Sequence, residues 1–154
     1  MWETLQMRRR IAFAGLLIGT LAVSGCVRSF PGDQKLPQDL FNAARQSERA
    51  PVGFRDDVRR KSCGQVTLDQ GERIPADAVD CVDSAIGRLD AELAVVSLTI
   101  EGDPIVDFYR TSTGVPGVEV FTDGEFDRYG SKMWMRQDCP LTTSLTSLQG
   151  CLEI

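Results

Sequence analysis

The sequence predicts an α+β domain in which one helix packs on a four- to five-stranded antiparallel sheet, with two disulfides, after a disordered tether. Apolar residues recur at spacings of three and four between Ala78 and Leu89, which is the period of a helix with one buried side. Apolar and polar residues then alternate in short runs between Val95 and Gln137, separated by glycine, proline and aspartate turns. Four cysteines follow Cys26, and this even number favours two disulfides.

The predicted helix has clear start signals. Pro75 stands at its beginning, and Asp77 and Asp80 follow where the helix dipole favours acidic side chains. We expect the helix to end near Asp90 and a short strand over residues 66–68 to precede it.

Four further strands form an antiparallel meander in this prediction, over residues 95–101, 105–111, 118–122 and 132–137. If the helix covers the face that carries Val96 and Phe108, the opposite face is unusually aromatic for a solvated surface. Its candidate binding residues are Tyr109, Phe121, Trp134, Asp107 and Arg136. Two interpretations stay open: this face binds a partner, or its aromatic side chains pack across the strands under a cover formed by the tether.

The N-terminus has the pattern of a bacterial lipoprotein signal. Three arginines at residues 8–10 precede an apolar run over residues 11–23, and the stretch Leu-Ala-Val-Ser-Gly-Cys ends at Cys26. The apolar run has 13 residues, whereas a membrane-spanning helix needs about 20. We therefore expect a diacylglyceryl group on Cys26 and cleavage before it. A plain secretory signal is the alternative, and translation can start at Met1 or at Met7, which the arginines follow directly.

These signals divide the chain into three parts. Residues 1–25 are the signal peptide, residues 26–62 are the lipidated cysteine with a flexible basic tether, and residues 63–154 are the disulfide-stapled domain. The tether contains three prolines and one short helical pattern over residues 36–44. The domain carries 6 Lys and Arg against 16 Asp and Glu, a net charge of −10. Such a domain repels nucleic acid and is compatible with cations or basic partners.

The four later cysteines allow three disulfide pairings. We favour Cys63 with Cys81 and Cys139 with Cys151, because each pair closes a short loop between neighbouring elements. A zinc site is disfavoured, since the chain has no histidine and no Cys-x-x-Cys pair.

The lack of histidine also excludes Ser-His-Asp and Cys-His catalysis, and no cofactor is expected. A small hydrolase remains an alternative, with a carboxylate pair from the acids around Glu101 and Asp123, and substitution of Glu101 and Asp103 would test it. Asp123, Glu125 and Asp127 alternate like the start of a calcium loop, so a calcium-dependent module is a second alternative. That pattern departs from a calcium loop at its sixth position, which is Arg128, and at its twelfth, which is Trp134.

Two segments carry a resemblance to a known group of proteins. Residues 96–105 include Thr-Ile-Glu-Gly-Asp-Pro-Ile, and residues 127–130 are Asp-Arg-Tyr-Gly, followed later by Cys139. Over roughly residues 92–139 the chain resembles a family of small bacterial lipoproteins and secreted proteins classed as a domain of unknown function. The resemblance implies an envelope location and supports the domain boundary, but it implies no activity and no site residue.

Together these observations predict a monomeric lipoprotein at the extracytoplasmic face of the cell membrane, attached through its N-terminal lipid. We expect a non-enzymatic binding or interaction module whose partner is an envelope protein or ligand.

Overall fold

The computed structural model describes residues 39–55 and 59–154, and one compact unit spans Lys35–Ile154. The signal peptide, Cys26 and the first part of the tether lie outside the described residues. The described part contains three helices and six strands: α1 Leu40–Arg45, α2 Val52–Arg55, β1 Lys61–Thr67, α3 Ala76–Ala85, β2 Ala91–Leu98, β3 Pro104–Ser112, β4 Val115–Asp123, β5 Trp134–Cys139 and β6 Leu152–Glu153.

The six strands form one sheet in the order β1-β2-β3-β4-β5-β6. Neighbouring strands are antiparallel from β2 to β6, whereas β1 and β2 are parallel. The parallel pair arises because α3 lies between β1 and β2 in the chain and carries it back to the starting end of the sheet. The predicted α+β class is confirmed, with one more strand than expected.

Helix α3 begins where the sequence predicts but ends earlier. Pro75 precedes it and Asp77 lies in its first turn. The helix ends at Ala85 instead of near Asp90, because Gly87 has a φ of +69° and turns the chain out of the helix. The residues released from the helix allow β2 to begin at Ala91, earlier than expected.

Helix α3 covers one face of the sheet, which we call the α3 face. Its core is aliphatic and includes Leu68, Val79, Val82, Leu93, Val95, Val118 and Val120. The predicted disulfide between Cys63 and Cys81 is confirmed, and it joins β1 to α3 at the edge of this core.

The second predicted disulfide, between Cys139 and Cys151, is also confirmed. It closes the loop after β5 and positions β6 beside that strand. Asp83 of α3 holds the same loop, because its carboxylate accepts a hydrogen bond from the backbone N–H of Leu145 at 2.7 Å. Leu145 is buried in the core under α3.

Residues 39–55, here called the covering segment, lie on the opposite face of the sheet. Asp39 caps α1 by accepting a hydrogen bond from the backbone N–H of Asn42 at 2.9 Å. Ala44, Ala50 and Phe54 are buried against the sheet. The packed domain therefore begins before residue 63, and the predicted tether over residues 26–62 is too long at its C-terminal end. The helical pattern over residues 36–44 corresponds in part to α1.

Candidate functional site

The register of the sheet divides the five candidate binding residues between its two faces. Phe108 pairs with Phe121, and Tyr109 pairs with Val120. Directly paired residues share a face, so Phe121 lies on the same face as Phe108. Tyr109 lies on the α3 face instead, and the prediction that it shares a face with Phe121 was wrong.

Asp107 and Tyr109 lie on the α3 face. Tyr109 packs partly buried against the core under α3, and burial together with the nearby Asp107 carboxylate raises its pKa. Burial also raises the pKa of Asp107, although the Thr122 hydroxyl donates a hydrogen bond to its carboxylate at 2.6 Å. Both side chains therefore make their contacts inside the domain.

Phe121 and Trp134 lie on the opposite face, here called the aromatic face, together with Phe108, Val96 and Val106. The covering segment inserts Phe54 between three of these rings. The Phe54 centroid is 4.7 Å from that of Phe108, 5.2 Å from that of Phe121 and 4.9 Å from that of Trp134. Phe121 is fully buried as a result. The sequence left open whether the aromatic side chains bind a partner or pack under a cover formed by the tether. This geometry matches the second interpretation, because residues before β1 cover them.

Glu92 joins the covering segment to the sheet, and the sequence analysis did not identify it. Its carboxylate accepts hydrogen bonds from Arg45 of α1 at 2.5 Å and from Arg110 of β3 at 2.8 Å. Arg110 also donates to the backbone carbonyl of Phe54 and lies 4.1 Å from the centre of its ring. A glutamate inside an apolar strand could have indicated a buried ion pair, since carboxylates are rarely buried without a partner.

Arg136 borders the aromatic face where the covering segment ends. Its guanidinium contacts the carboxylate of Glu119 at 2.6 Å and that of Asp138 at 3.7 Å. These three side chains lie along a shallow groove that also contains Val115 and Pro116. Arg136 is thus paired within the sheet, and its guanidinium carbon lies over the Phe121 ring, 5.7 Å from the ring centre.

Glu125, which follows β4, contacts the middle of the covering segment. It accepts hydrogen bonds from the Ser47 hydroxyl at 2.5 Å and from the Trp134 indole at 3.3 Å, and Arg49 approaches it at 3.4 Å. Asp123 lies directly before it, is fully buried, and accepts a hydrogen bond from the Glu125 backbone N–H at 2.9 Å. Its second oxygen, Oδ2, accepts no hydrogen bond from the described residues.

Burial, reinforced by the Glu125 charge, raises the pKa of Asp123 to about 6 from its ordinary value of 3.8. Below pH 4 this carboxyl is protonated in the folded and unfolded states and does not affect stability. Between pH 4 and 6 the unfolded chain loses this proton while the folded protein keeps it, so the free energy of unfolding falls across this window by up to about 3 kcal/mol and is constant above it. We expect Asp123→Asn to remove most of this fall between pH 4 and 7.5, measured by urea unfolding at several pH values.

The matched control for that prediction is Glu101→Gln, which removes one carboxylate at an exposed turn. It should leave the pH dependence of unfolding unchanged. A parent chain as stable at pH 7.5 as at pH 4.5 would contradict the role of Asp123.

The three weak calcium candidates do not meet around a common point. Asp123 is buried, Glu125 contacts the covering segment, and Asp127 accepts hydrogen bonds from the backbone N–H groups of Tyr129 and Gly130, both at 2.9 Å. Within residues 39–55 and 59–154, no group of three or more Asp, Glu, Cys or His side chains is placed to hold a metal ion. The structure therefore offers no observation that favours a calcium-dependent module.

The two segments of the family-like motif lie against each other. Asp103, from the turn between β2 and β3, is buried, and its carboxylate accepts hydrogen bonds from the Arg128 backbone N–H at 3.0 Å and from its guanidinium at 2.7 Å. Glu101 is exposed, so the two carboxylates whose substitution would test a hydrolase differ in environment. Asp103 has a structural use: it attaches the β4–β5 loop to the β2–β3 turn.

Comparison of the chain with models of known protein families, with curated proteins and with solved structures gives no match in any of the three sets. The resemblance to small bacterial lipoproteins therefore stays a prediction. In the part of the chain that the structure describes, no helix is both long and apolar enough to cross a membrane.

Proposed function

We propose that the chain is a lipoprotein anchored through Cys26 at the extracytoplasmic face of the cell membrane, where it acts as a non-enzymatic interaction module. The observation that carries this proposal is the pairing of the cysteines. Four of the five form the disulfides Cys63–Cys81 and Cys139–Cys151. The fifth, Cys26, stands at the end of the signal-like stretch, where its thiol can accept a lipid. Two disulfides in a small domain favour an oxidising compartment.

The contacts of the acidic side chains support an interaction role over catalysis. Asp103 and Glu125 are held by ion pairs, and Asp107 by the Thr122 hydroxyl. The aromatic face is covered by residues 39–55, so the proposed interactions use surfaces that this segment leaves exposed. No observation in the described residues favours the calcium-dependent or hydrolase alternative.

Cys26→Ser tests the anchor. We expect the parent chain, produced in a bacterial host, to sediment with membranes and to have the mass of residues 26–154 plus a diacylglyceryl group. The Cys26→Ser chain should lack the lipid mass, because serine has no thiolate to accept it.

Ser29→Ala is the matched control, a small change three residues away that keeps Cys26. It should carry the same lipid as the parent chain. An unmodified Cys26 in membrane-extracted parent chain would contradict the proposed anchor.

A further inference from the structure

Asp123 lies on the aromatic face, beneath the covering segment. It pairs with Val106 of β3 and with Trp134 of β5, and both of these belong to the core of that face. Directly paired residues share a face, so the Asp123 side chain lies among them. It is fully buried, and within residues 39–55 and 59–154 its Oδ2 has no hydrogen-bond donor. A buried oxygen without a donor costs free energy, and this cost is much larger for a carboxylate anion than for the neutral acid.

Glu125 places a second negative charge beside Asp123. Burial raises the pKa of Asp123, and the Glu125 charge raises it further. From the covering segment, Arg49 approaches the carboxylate of Glu125, and its side chain is 71% exposed, so solvent screens its charge. The other charged side chains of the neighbouring elements have partners of their own: Arg45 of α1 and Arg110 of β3 contact Glu92, Arg136 of β5 contacts Glu119, and Arg128 of the β4–β5 loop contacts Asp103.

The covering segment is attached close to this carboxylate, and by side chains. Glu125 accepts a hydrogen bond from the Ser47 hydroxyl and contacts Arg49. The described backbone hydrogen bonds of the segment stay within it, as from the Ala43 N–H to the Asp39 carbonyl. Its two helices have six and four residues, and isolated helices of that length do not persist in water. The segment can therefore leave the sheet without breaking the hydrogen bonds between strands, and its own amides then lose their protection.

We propose that Asp123 makes the attachment of the covering segment sensitive to pH, so that residues 39–55 separate from the aromatic face more often at neutral pH than at acidic pH. Separation brings water to the Asp123 carboxyl, which then loses its proton to solvent more readily than it does when buried. The separated state exposes the rings of Phe108, Phe121 and Trp134, which the attached segment keeps covered. This inference does not depend on the lipid anchor.

The pKa of Asp123 sets the pH window of the effect. It is about 6 in the closed state, against an ordinary value of 3.8. At pH 5 the closed state still holds most of its proton, whereas the hydrated carboxyl of the separated state has already lost it. Separation therefore becomes more favourable as the pH rises to 6 and is constant above it. Between pH 5 and 7.5 the equilibrium constant for separation should rise by about tenfold.

Hydrogen exchange of the full chain at pD 5 and pD 7.5, followed by mass spectrometry, tests the proposal. Each exchange rate is divided by the rate of the same peptide in the urea-unfolded chain, which removes the direct effect of pD on exchange. Peptides from α3 report unfolding of the whole domain. The variant is Asp123→Asn, which keeps the shape of the neutral acid, and the matched control is Glu101→Gln at an exposed turn.

We expect residues 39–55 to be less protected than α3 in the parent chain, and their protection to fall about tenfold from pD 5 to pD 7.5. Glu101→Gln should behave like the parent, whereas Asp123→Asn should lose this fall. Equal protection of residues 39–55 and α3 would overturn the proposal, because the segment would then leave only when the whole domain unfolds. A parent chain without the fall, or an equal fall in Asp123→Asn, would overturn it as well. The first two of these results come from the parent chain alone, so they decide the proposal even if Asp123→Asn does not fold.

Discussion

Replacing all four paired cysteines by alanine should lower the free energy of unfolding by about 6 kcal/mol, because each disulfide restricts the unfolded chain by about 3 kcal/mol. The two bridges close loops of similar size, with sequence separations of 18 and 12 residues. Domains of this size retain about 5–15 kcal/mol in total, so the variant without disulfides should be largely unfolded or close to it at 37 °C. Urea unfolding at 25 °C, followed by circular dichroism, measures the change.

The two double variants separate the bridges. Cys63→Ala with Cys81→Ala releases β1 from α3, and Cys139→Ala with Cys151→Ala releases the loop that positions β6. The bridges contact different elements, so their effects should add. A loss below about 1 kcal/mol for either pair would contradict the stabilising role assigned to that disulfide.

Glu92→Ala should lower the free energy of unfolding by about 3–5 kcal/mol, because it removes the Glu92 carboxylate from the buried guanidinium of Arg110 and from Arg45 while leaving both positive charges in place. The Arg110 side chain is only 5% exposed, and it also contacts the Phe54 carbonyl and the rings of Phe54 and Phe121. Arg45 loses the same carboxylate, so the covering segment should separate from the sheet before the α3 face unfolds. Tryptophan emission reports the first event, since Trp134 contacts Phe54, and circular dichroism reports the second.

Arg49→Ala is the control for Glu92→Ala, because it removes an ion pair from the same segment at a site where the arginine side chain is 71% exposed. Its effect should stay below about 1 kcal/mol. Equal effects of the two substitutions would show that the Glu92 ion pairs do not hold the covering segment.

Local sequence patterns were sufficient to predict α3, the central strands and both disulfides. Apolar spacing predicted α3, Pro75 and Asp77 predicted its start, and alternation predicted the central strands. Loop length predicted both disulfides, because a short loop between adjacent elements brings its cysteines within bonding distance.

The division of the aromatic residues between the faces could not be predicted in the same way. Alternation shows which residues of one strand share a face, but it does not show which face of the next strand they meet. The pairing of β3 with β4 sets Phe121 opposite Phe108 and Val120 opposite Tyr109, so Tyr109 lies on the other face from Phe121.

The sequence by itself determined the α+β class, the position of α3 and the cysteine pairs, because these depend on period and on distance along the chain. Only the tertiary structure decided that residues 39–55 cover the aromatic face and that Glu92, Asp103 and Glu125 each join distant segments. Their partners lie 47, 25 and 78 residues away in the chain, so no local pattern connects them. Such contacts form only when the sheet register has brought the strands together.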